Sequence, residues 1–576
     1  MKLKIHKRLS LQSFKINLSL IIVCIFGSLL RFCNLGKIIF FLDEPYHTVR
    51  IAARSLSYVV THDFGSMFYQ LILHFLLPFG KLEFVSRLPS AIFGILLILG
   101  TYYLGKLFFG QREGIIAALF VSFSHYFIRY SQYARAYTAF AFFSLLSLYF
   151  FYKALKENKT KFWFLYILFS IINVYNHFFA LVTIPVYISF VAILLFEKLI
   201  FKYIKSWTID KKRLIHFIMS TLLILIFTYF LRSSVQMTGE SVQGFTIHTL
   251  KRFEEPITIG LPPLIKRIFA FQITPFPSLF SFFVLFFIFL GIFGCLIRFR
   301  KEYTLLLLYI VLPLFGFVLI KPRLVFVLSA DRYFIFILPL IFLLLAKGIT
   351  FLSSALISLV NRLSLIKKKE HFFKNLIMVI LILSVFLFES FDLKEYYIHS
   401  WRLGSLNLEK NVHEYLKENV KKDEMIFFDS YPDKASVLFV GPLRLNNREK
   451  TIMIYRINRV RLEKICYQKL GLWCILHQPI PTEKNVNNEL TGMGIRNIKG
   501  HVIIHFEAGK EPLVKNLIKM AKFLISLQPE RRREYHLLLT KFYLLDQNMK
   551  AASKTLERIE KSKSAHLDKK QERDKL

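Results

Sequence analysis

The sequence has no glycine-rich phosphate loop ahead of any helix-forming stretch, which leaves a soluble nucleotide-sugar or ATP site without support. Cysteine is scarce, five in 576 residues, and no two stand at metal-ligand spacing. Cys24, Cys33 and Cys295 fall in or beside apolar runs and read as small packing residues. Cys466 and Cys474 lie near the C-terminus, where an extracellular setting would let them form a disulfide. There is no clear internal repeat, which weighs against a transporter built from duplicated halves. Acidic residues are also few: 38 Asp and Glu against 77 Lys and Arg give a net charge of +39. Such an excess suits nucleic acid, but its distribution does not. Residues 1–391 hold 42 bases and 15 acids, and the remainder 35 and 23. In the first part the bases cluster between apolar runs, as cytoplasmic loops require. The expected partner is therefore a membrane and no nucleic acid.

What the chain does have is apolar length. Hydrophobic residues make up 55% of it, with 63 phenylalanines. Runs long enough to cross a bilayer lie near residues 16–33, 86–105, 114–128, 137–152, 162–175, 178–196, 214–231, 277–297, 303–320, 333–350 and 374–391. About eleven spans follow, so the fold class is a polytopic α-helical membrane protein. The basic start Met1–Arg8 before the first run resembles a signal peptide, yet no small-residue cleavage site precedes Arg31, so the run reads as a retained anchor. With the N-terminus cytoplasmic, the base-rich segments 153–161, 199–213, 298–302 and 362–374 all fall inside. An odd number of spans then puts everything after residue 391 outside a cell (inner) membrane. Two long loops, 34–85 and 232–275, share that outer face, and long loops on one face of a bundle usually carry function.

The C-terminal region changes character. Short β-rich runs at 425–429, 451–455 and 501–506 alternate with helical patterns such as 411–420, which predicts a small extracytoplasmic α/β domain over 392–509. Residues 510–561 show helical spacing and predict a hairpin resembling one tetratricopeptide-like unit, followed by a charged tail, 562–576.

Ionisable residues beside a membrane are costly and so are candidates for function. The first are Asp43 and Glu44 in Phe-Leu-Asp-Glu-Pro-Tyr-His, at the outer end of the first span. A carboxylate there can take a proton from an acceptor hydroxyl or hold a divalent cation; a helix N-cap is the competing reading. Arg87, in Ser-Arg-Leu-Pro-Ser, can clamp a phosphate or simply snorkel to the interface. The segment 129–137, Arg-Tyr-Ser-Gln-Tyr-Ala-Arg-Ala-Tyr, makes a tight outer turn with Arg129, Arg135 and Tyr137, although tyrosines also populate interfacial belts. His177 caps another outer turn, and Asp331-Arg332-Tyr333 opens the tenth span. All of these fall on one face in a topology derived from loop charge alone.

In this ordered set of motifs, over roughly residues 16–345, the chain resembles the GT-C glycosyltransferases, specifically those similar to protein O-mannosyltransferases and lipid A aminoarabinose transferases. The motifs are the Asp-Glu pair after the first span, Arg-Leu-Pro-Ser at 87–90, Ser-Gln-x-Ala-Arg-x-Tyr at 131–137, Asn-His-Phe-Phe-Ala at 176–180 and Arg-Tyr at 332–333. The resemblance implies a polyprenyl-phosphate-linked sugar as donor, met at the outer face, and transfer with inversion. It implies Asp43 as general base, Glu44 as its support or a metal ligand, and Arg87, Arg129, Arg135 and Arg332 as grips on the donor phosphate. Tyr137, His177 and Tyr333 join the candidate site. So do His62 and Asp63, which stand where family members often carry two prolines after a histidine. That departure, and Tyr133 in place of a common Glu, bear on metal use and on the acceptor. No cofactor is certain, and a divalent metal ion is an open option. The competing classes are a transporter or flippase of lipid-linked saccharides and a non-catalytic scaffold presenting its C-terminal region. The sugar and the acceptor are not legible.

Overall fold

The structure is a computed structural model that describes residues 18–37, 44, 48–62, 66–200, 209–234, 279–298, 300–319, 332–362, 373, 375–384, 424–428, 451–453, 471–476, 494–498, 501–506, 513–527 and 532–557. Asp43, Asp63, Asp331, Cys466, the second long loop and the expected helix at 411–420 lie outside the described residues, as does the side chain of His62. The chain divides into two compact units, Met1–Ile38 with Tyr46–Ser400 and Ile39–Pro45 with Trp401–Leu576.

The first unit is a bundle of apolar helices. In chain order they are α1 (Leu18–Phe32), then α2 (Met67–Leu76) within the first long loop, α3 (Leu82–Phe108), α4 (Gln111–Phe123) and the short α5 (His125–Ser131). There follow α6 (Tyr137–Glu157), α7 (Thr160–Asn176), α8 (Thr183–Ile200) and α9 (Lys211–Ser234), then α10 (Leu279–Arg298), α11 (Lys301–Leu319), α12 (Leu338–Arg362) and α13 (Asn375–Ser384). Leaving out α2 and α5, these match the expected runs one for one. Among the described residues five stretches are long and apolar enough to cross a bilayer: Leu82–Phe108, Tyr137–Glu157, Phe178–Lys198, Lys211–Phe230 and Leu338–Leu359. The sequence places the third span at 114–128, whereas the structure breaks it at Ser124, where the backbone turns extended and α5 restarts at His125. The tenth run begins at 333 in the sequence, but α12 starts at Leu338 because residues 332–334 form a 3₁₀ turn first.

α6 is the central helix, with 72% of its span buried, while α9 is peripheral at 17%. The packing uses small residues where backbones approach, the usual device when lipid removes the hydrophobic drive between helices. α10 crosses α12 at Gly291 and Gly348, where a Cβ on either glycine would overlap the backbone carbonyl of Leu344 or Phe287. α2 carries its apolar face inward: Phe68 and Ile72 pack on the Phe93, Ala139 and Phe143 cluster of α3 and α6. The first long loop is thus anchored to the bundle by hydrophobic contact.

One end of the bundle holds ion pairs among the described residues. Glu113 on α4 accepts a hydrogen bond from Thr350 at 2.9 Å with Lys347 at 4.0 Å, and Lys301 lies 3.7 Å from Glu197. The opposite end gathers the candidate residues.

The second unit contains a five-stranded sheet: β1 (Glu424–Phe428), β2 (Thr451–Met453), β3 (Gly471–Leu476), β4 (Gly494–Ile498) and β5 (His501–Phe506), in the order β2-β1-β3-β5-β4. β1 pairs parallel with β2 and β3, while β5 pairs antiparallel with β3 and β4. Two of these strands, β3 and β4, are not read from the sequence. The helical part is α14 (Leu513–Leu527), α15 (Arg532–Leu545) and a third helix, α16, at 549–557, one more than the expected hairpin. Lys515 bridges α14 to Asp546 at 2.6 Å.

Candidate functional site

The end of the bundle opposite the ion pairs is where α1, α4 and α7 finish and α3, α6 and α12 begin. Because successive helices run antiparallel through short turns, the motifs at 87–90, 131–137, 176–180 and 332–333 are brought to this one end although up to 245 residues separate them.

The turn 132–136 between α5 and α6 is held on three sides. Ser90 Oγ donates to the Arg135 carbonyl at 3.0 Å, and Thr138 Oγ1 donates back to the Ser90 carbonyl at 2.9 Å. Asn176 Nδ2, from the end of α7, donates to the Ala136 carbonyl at 3.1 Å. Gln132 Nε2 faces the carbonyls of Leu30 (3.2 Å), Arg31 (3.2 Å) and Cys33 (2.7 Å) at the end of α1. A helix end leaves its last four carbonyls without partners, and an uncompensated carbonyl at membrane depth costs several kcal/mol, so these bonds decide where the turn sits.

Above the turn five predicted residues converge. Arg135 lies over the Tyr137 ring, Cζ 5.8 Å from its centre, and Arg332 lies over the same ring at 5.7 Å and over Tyr333 at 5.6 Å. His177 stands 5.8 Å from Tyr137 and 5.5 Å from Tyr333, and stacks on Phe140 at 4.6 Å. One tyrosine ring thus meets two guanidinium groups, each within cation–π range. Guanidinium groups are the side chains best suited to hold a phosphate or carboxylate, by paired hydrogen bonds.

His177 Nδ1 accepts the Phe179 backbone N–H at 3.2 Å, so in its neutral form the proton sits on Nε2. Dense packing, then the Arg135 and Arg332 charges, hold its imidazole far below the usual range, at about 3. At neutral pH His177 is an uncharged hydrogen-bond donor beside two permanent cations.

Glu44 and Arg87 are completely buried. Arg87 Nη1 donates to the Leu35 carbonyl at 3.1 Å, in the turn that follows α1, so this arginine is enclosed and does not snorkel. Arg129 occupies the last turn of α5, partly buried, with its carbonyl accepting the Gln132 N–H at 3.2 Å. Among the described residues no three of His, Cys, Asp and Glu gather as a metal site.

Arg31 is the residue that the sequence reading passes over. It is wholly buried, with Nη1 on the Gly27 (3.0 Å) and Ser122 (2.9 Å) carbonyls and Nη2 on that of Val121 (2.9 Å). Its signal was present: an arginine inside an apolar run is costly unless held by polar partners. Gly94 leaves room for it, since a Cβ there would run into Ser131 Oγ and approach Arg31 Nε to 2.9 Å.

Residues 65–231, less than a third of the 576, match the family described as dolichyl-phosphate-mannose-protein mannosyltransferase. Among solved structures, ArnT from Cupriavidus metallidurans in the apo state aligns with a TM-score of 0.55 at 10% identity, covering 85% of this chain and 99% of that one. The same enzyme bound to undecaprenyl phosphate aligns at 0.56, with 10% identity and the same coverage. The archaeal oligosaccharyltransferase AglB from Archaeoglobus fulgidus, in complex with an inhibitory peptide and a dolichol-phosphate, aligns at 0.50 with 12% identity, covering 81% of this chain and 70% of that one. At these identities the likeness is one of fold, and the fold is GT-C. No curated protein matches the chain.

Proposed function

We infer, from a GT-C bundle whose motif residues meet at one end, that this protein is a membrane glycosyltransferase drawing its sugar from a polyprenyl-phosphate carrier. The observation that carries this reading is the convergence of Arg135, Arg332, Tyr137, Tyr333 and His177 in a chain of that fold. Two guanidinium groups and a neutral imidazole suit a phosphate whose negative charge grows as it leaves. The comparison enzymes that hold undecaprenyl phosphate and dolichol-phosphate support the same class of carrier. A transporter of lipid-linked saccharides would need similar arginines, but the fold favours transfer.

The reaction balances without an outside reagent. An acceptor hydroxyl oxygen attacks the anomeric carbon from the face opposite the phosphate. The bond from that carbon to the phosphate oxygen breaks, the configuration inverts, and the polyprenyl phosphate departs with the bonding pair. The acceptor's proton goes to Asp43, with Glu44 as its support. Arg135 and Arg332 hold the phosphate directly, and Arg87 and Arg129 complete the basic surround. We place the site, and the second unit, on the outer face of a cell membrane, because base-rich segments alternate with the helices. Asp43 and Glu44 are the carboxylates that would hold a divalent cation, which chelation and re-addition of Mg²⁺ or Mn²⁺ tests.

The deciding experiment follows sugar release from synthetic polyprenyl-phosphate sugars, hexose and pentose, with candidate glycan, lipid and protein acceptors. Wild type should turn over at least one carrier. Asp43→Asn should lose about a hundredfold or more in kcat, the usual range for removing a general base. Full activity in Asp43→Asn would remove the base assignment, and binding without turnover by wild type would favour transport.

A further inference from the structure

α1 and the α4–α5 corner cap each other. Arg31, in the last turn of α1, donates to the Val121 and Ser122 carbonyls at the end of α4, at 2.9 Å each. Ser122 Oγ returns a bond to the Val23 carbonyl of α1 at 3.0 Å. Gln132, one residue beyond α5, donates to the Leu30, Arg31 and Cys33 carbonyls at the end of α1. Each helix end thus finds its missing donors on the other segment, and both side chains are buried at 1% exposure or less. A cation at the end of α4 also complements its dipole.

These bonds hold more than a helix junction. Leu35, two residues beyond Cys33, accepts a hydrogen bond from Arg87 Nη1 at 3.1 Å, so the exit of α1 is tied to a second candidate arginine. Gln132 is three residues before Arg135, whose carbonyl is held in turn by Ser90. Losing the cap lets the last turn of α1 unwind, and each residue released shifts the exit by about 1.5 Å and rotates it by about 100°. A displacement near 1 Å at a reacting centre costs about a hundredfold in rate.

We propose that Gln132, together with Arg31, is a positioning residue for sugar transfer: its amide fixes the exit of α1 against the turn that carries Arg135. The inference rests on the transferase reading.

The test uses the full-length protein in detergent or nanodiscs. Gln132→Met keeps length and removes the N–H groups, Gln132→Glu keeps shape and turns the donor into an acceptor, and Gln132→Lys restores three donors of comparable reach. Rates are expressed per folded molecule. Gln132→Met should lose about a hundredfold in kcat with KM for the carrier-linked sugar within about twofold of wild type. Gln132→Glu should fall at least as far, and Gln132→Lys should recover to within about tenfold of wild type. Loss that tracks only the folded fraction, or equal activity in the Met and Lys variants, would overturn the proposal.

A second measurement does not depend on activity. Spin labels at Lys37 and Phe178, both exposed, are placed in a background with the native cysteines replaced by serine. The distance distribution should be narrow with Gln132 and broad with Gln132→Met. An unchanged distribution would overturn the clamp even if wild type transfers no sugar. A distribution that broadens in Gln132→Met while wild type turns over no carrier-linked sugar would support the clamp and refute the transferase.

Discussion

The Ser90 hydroxyl donates to the Arg135 carbonyl oxygen across 3.0 Å, which ties the first buried turns of α3 to the turn that carries Arg135. Tyr69 from the first long loop reaches the same place, its hydroxyl 2.7 Å from Ser90 Oγ and 3.0 Å from the Ser86 carbonyl. Ser90→Ala leaves the Arg135 carbonyl without that donor in a partly buried setting. Stability should fall by about 1–3 kcal/mol, the cost of an unsatisfied buried acceptor. Activity per folded molecule should drop, because Arg135 loses its support. A thermal melt alongside transfer kinetics checks both, and Ser90→Thr, which keeps the hydroxyl, should lose less of each.

Arg135 and Arg332 share the ring of Tyr137, and their charge alone does not explain the arrangement. Lysine keeps the charge but loses the planar, stackable fork that can take two phosphate oxygens. Arg332→Lys and Arg135→Lys should therefore raise KM for the carrier-linked sugar about tenfold each, the loss of one charge-assisted hydrogen bond of ~1.5 kcal/mol. Tyr137→Leu removes the shared ring and should weaken both contacts together, so that adding Arg332→Lys to it costs less than adding Arg332→Lys to wild type.

Much of this was legible in the sequence. Each of the eleven apolar runs corresponds to a helix, because a run of apolar residues long enough to meet lipid must satisfy its backbone hydrogen bonds internally. Arg135, Tyr137, His177, Arg332 and Tyr333 were placed at one end by loop charge and motif order, and the structure brings them together. What escaped has specific causes. Arg31 lies inside the first apolar run without a role assigned to it, and nothing local reveals that two of its partners are carbonyls 90 and 91 residues away. Gln132 stood inside a motif without a role, since the carbonyls it holds belong to another helix. β3 and β4 carry Gly471, Gly494, Arg496 and Asn497 within short strands, which blurs the alternation a strand needs to be recognised.

The crossing of α10 and α12 offers a control far from the proposed chemistry. A side chain at Gly348 meets the Phe287 backbone carbonyl, which cannot move aside as a flexible side chain would. Gly348→Val should cost about 3 kcal/mol, the upper end of the usual overpacking penalty. The folded fraction should still show the wild-type KM for the carrier-linked sugar. A raised KM would mean that this crossing communicates with the opposite end of the bundle.

His177 gives the pH prediction. Its imidazole titrates at about 3 in the folded protein against an ordinary value near 6.5 when unfolded. Between those values the unfolded chain binds a proton that the native state refuses, so stability falls as pH drops from about 6.5 toward 3 and the loss stops below that. His177→Asn keeps a side chain able to cap the Phe178–Val182 turn by accepting the Phe179 N–H, while removing the titration. The wild-type melting temperature should therefore decline more steeply than that of His177→Asn between pH 7 and pH 5. Activity should behave differently, because a histidine already neutral at pH 7 adds no titration of its own over that range. The acidic limb of kcat/KM should then sit at the same pH in both proteins, set by another group. A wild-type limb near pH 6.5 that vanished in His177→Asn would mean that the imidazole carries a proton in the resting site, and the neutral-donor role given to it would fall.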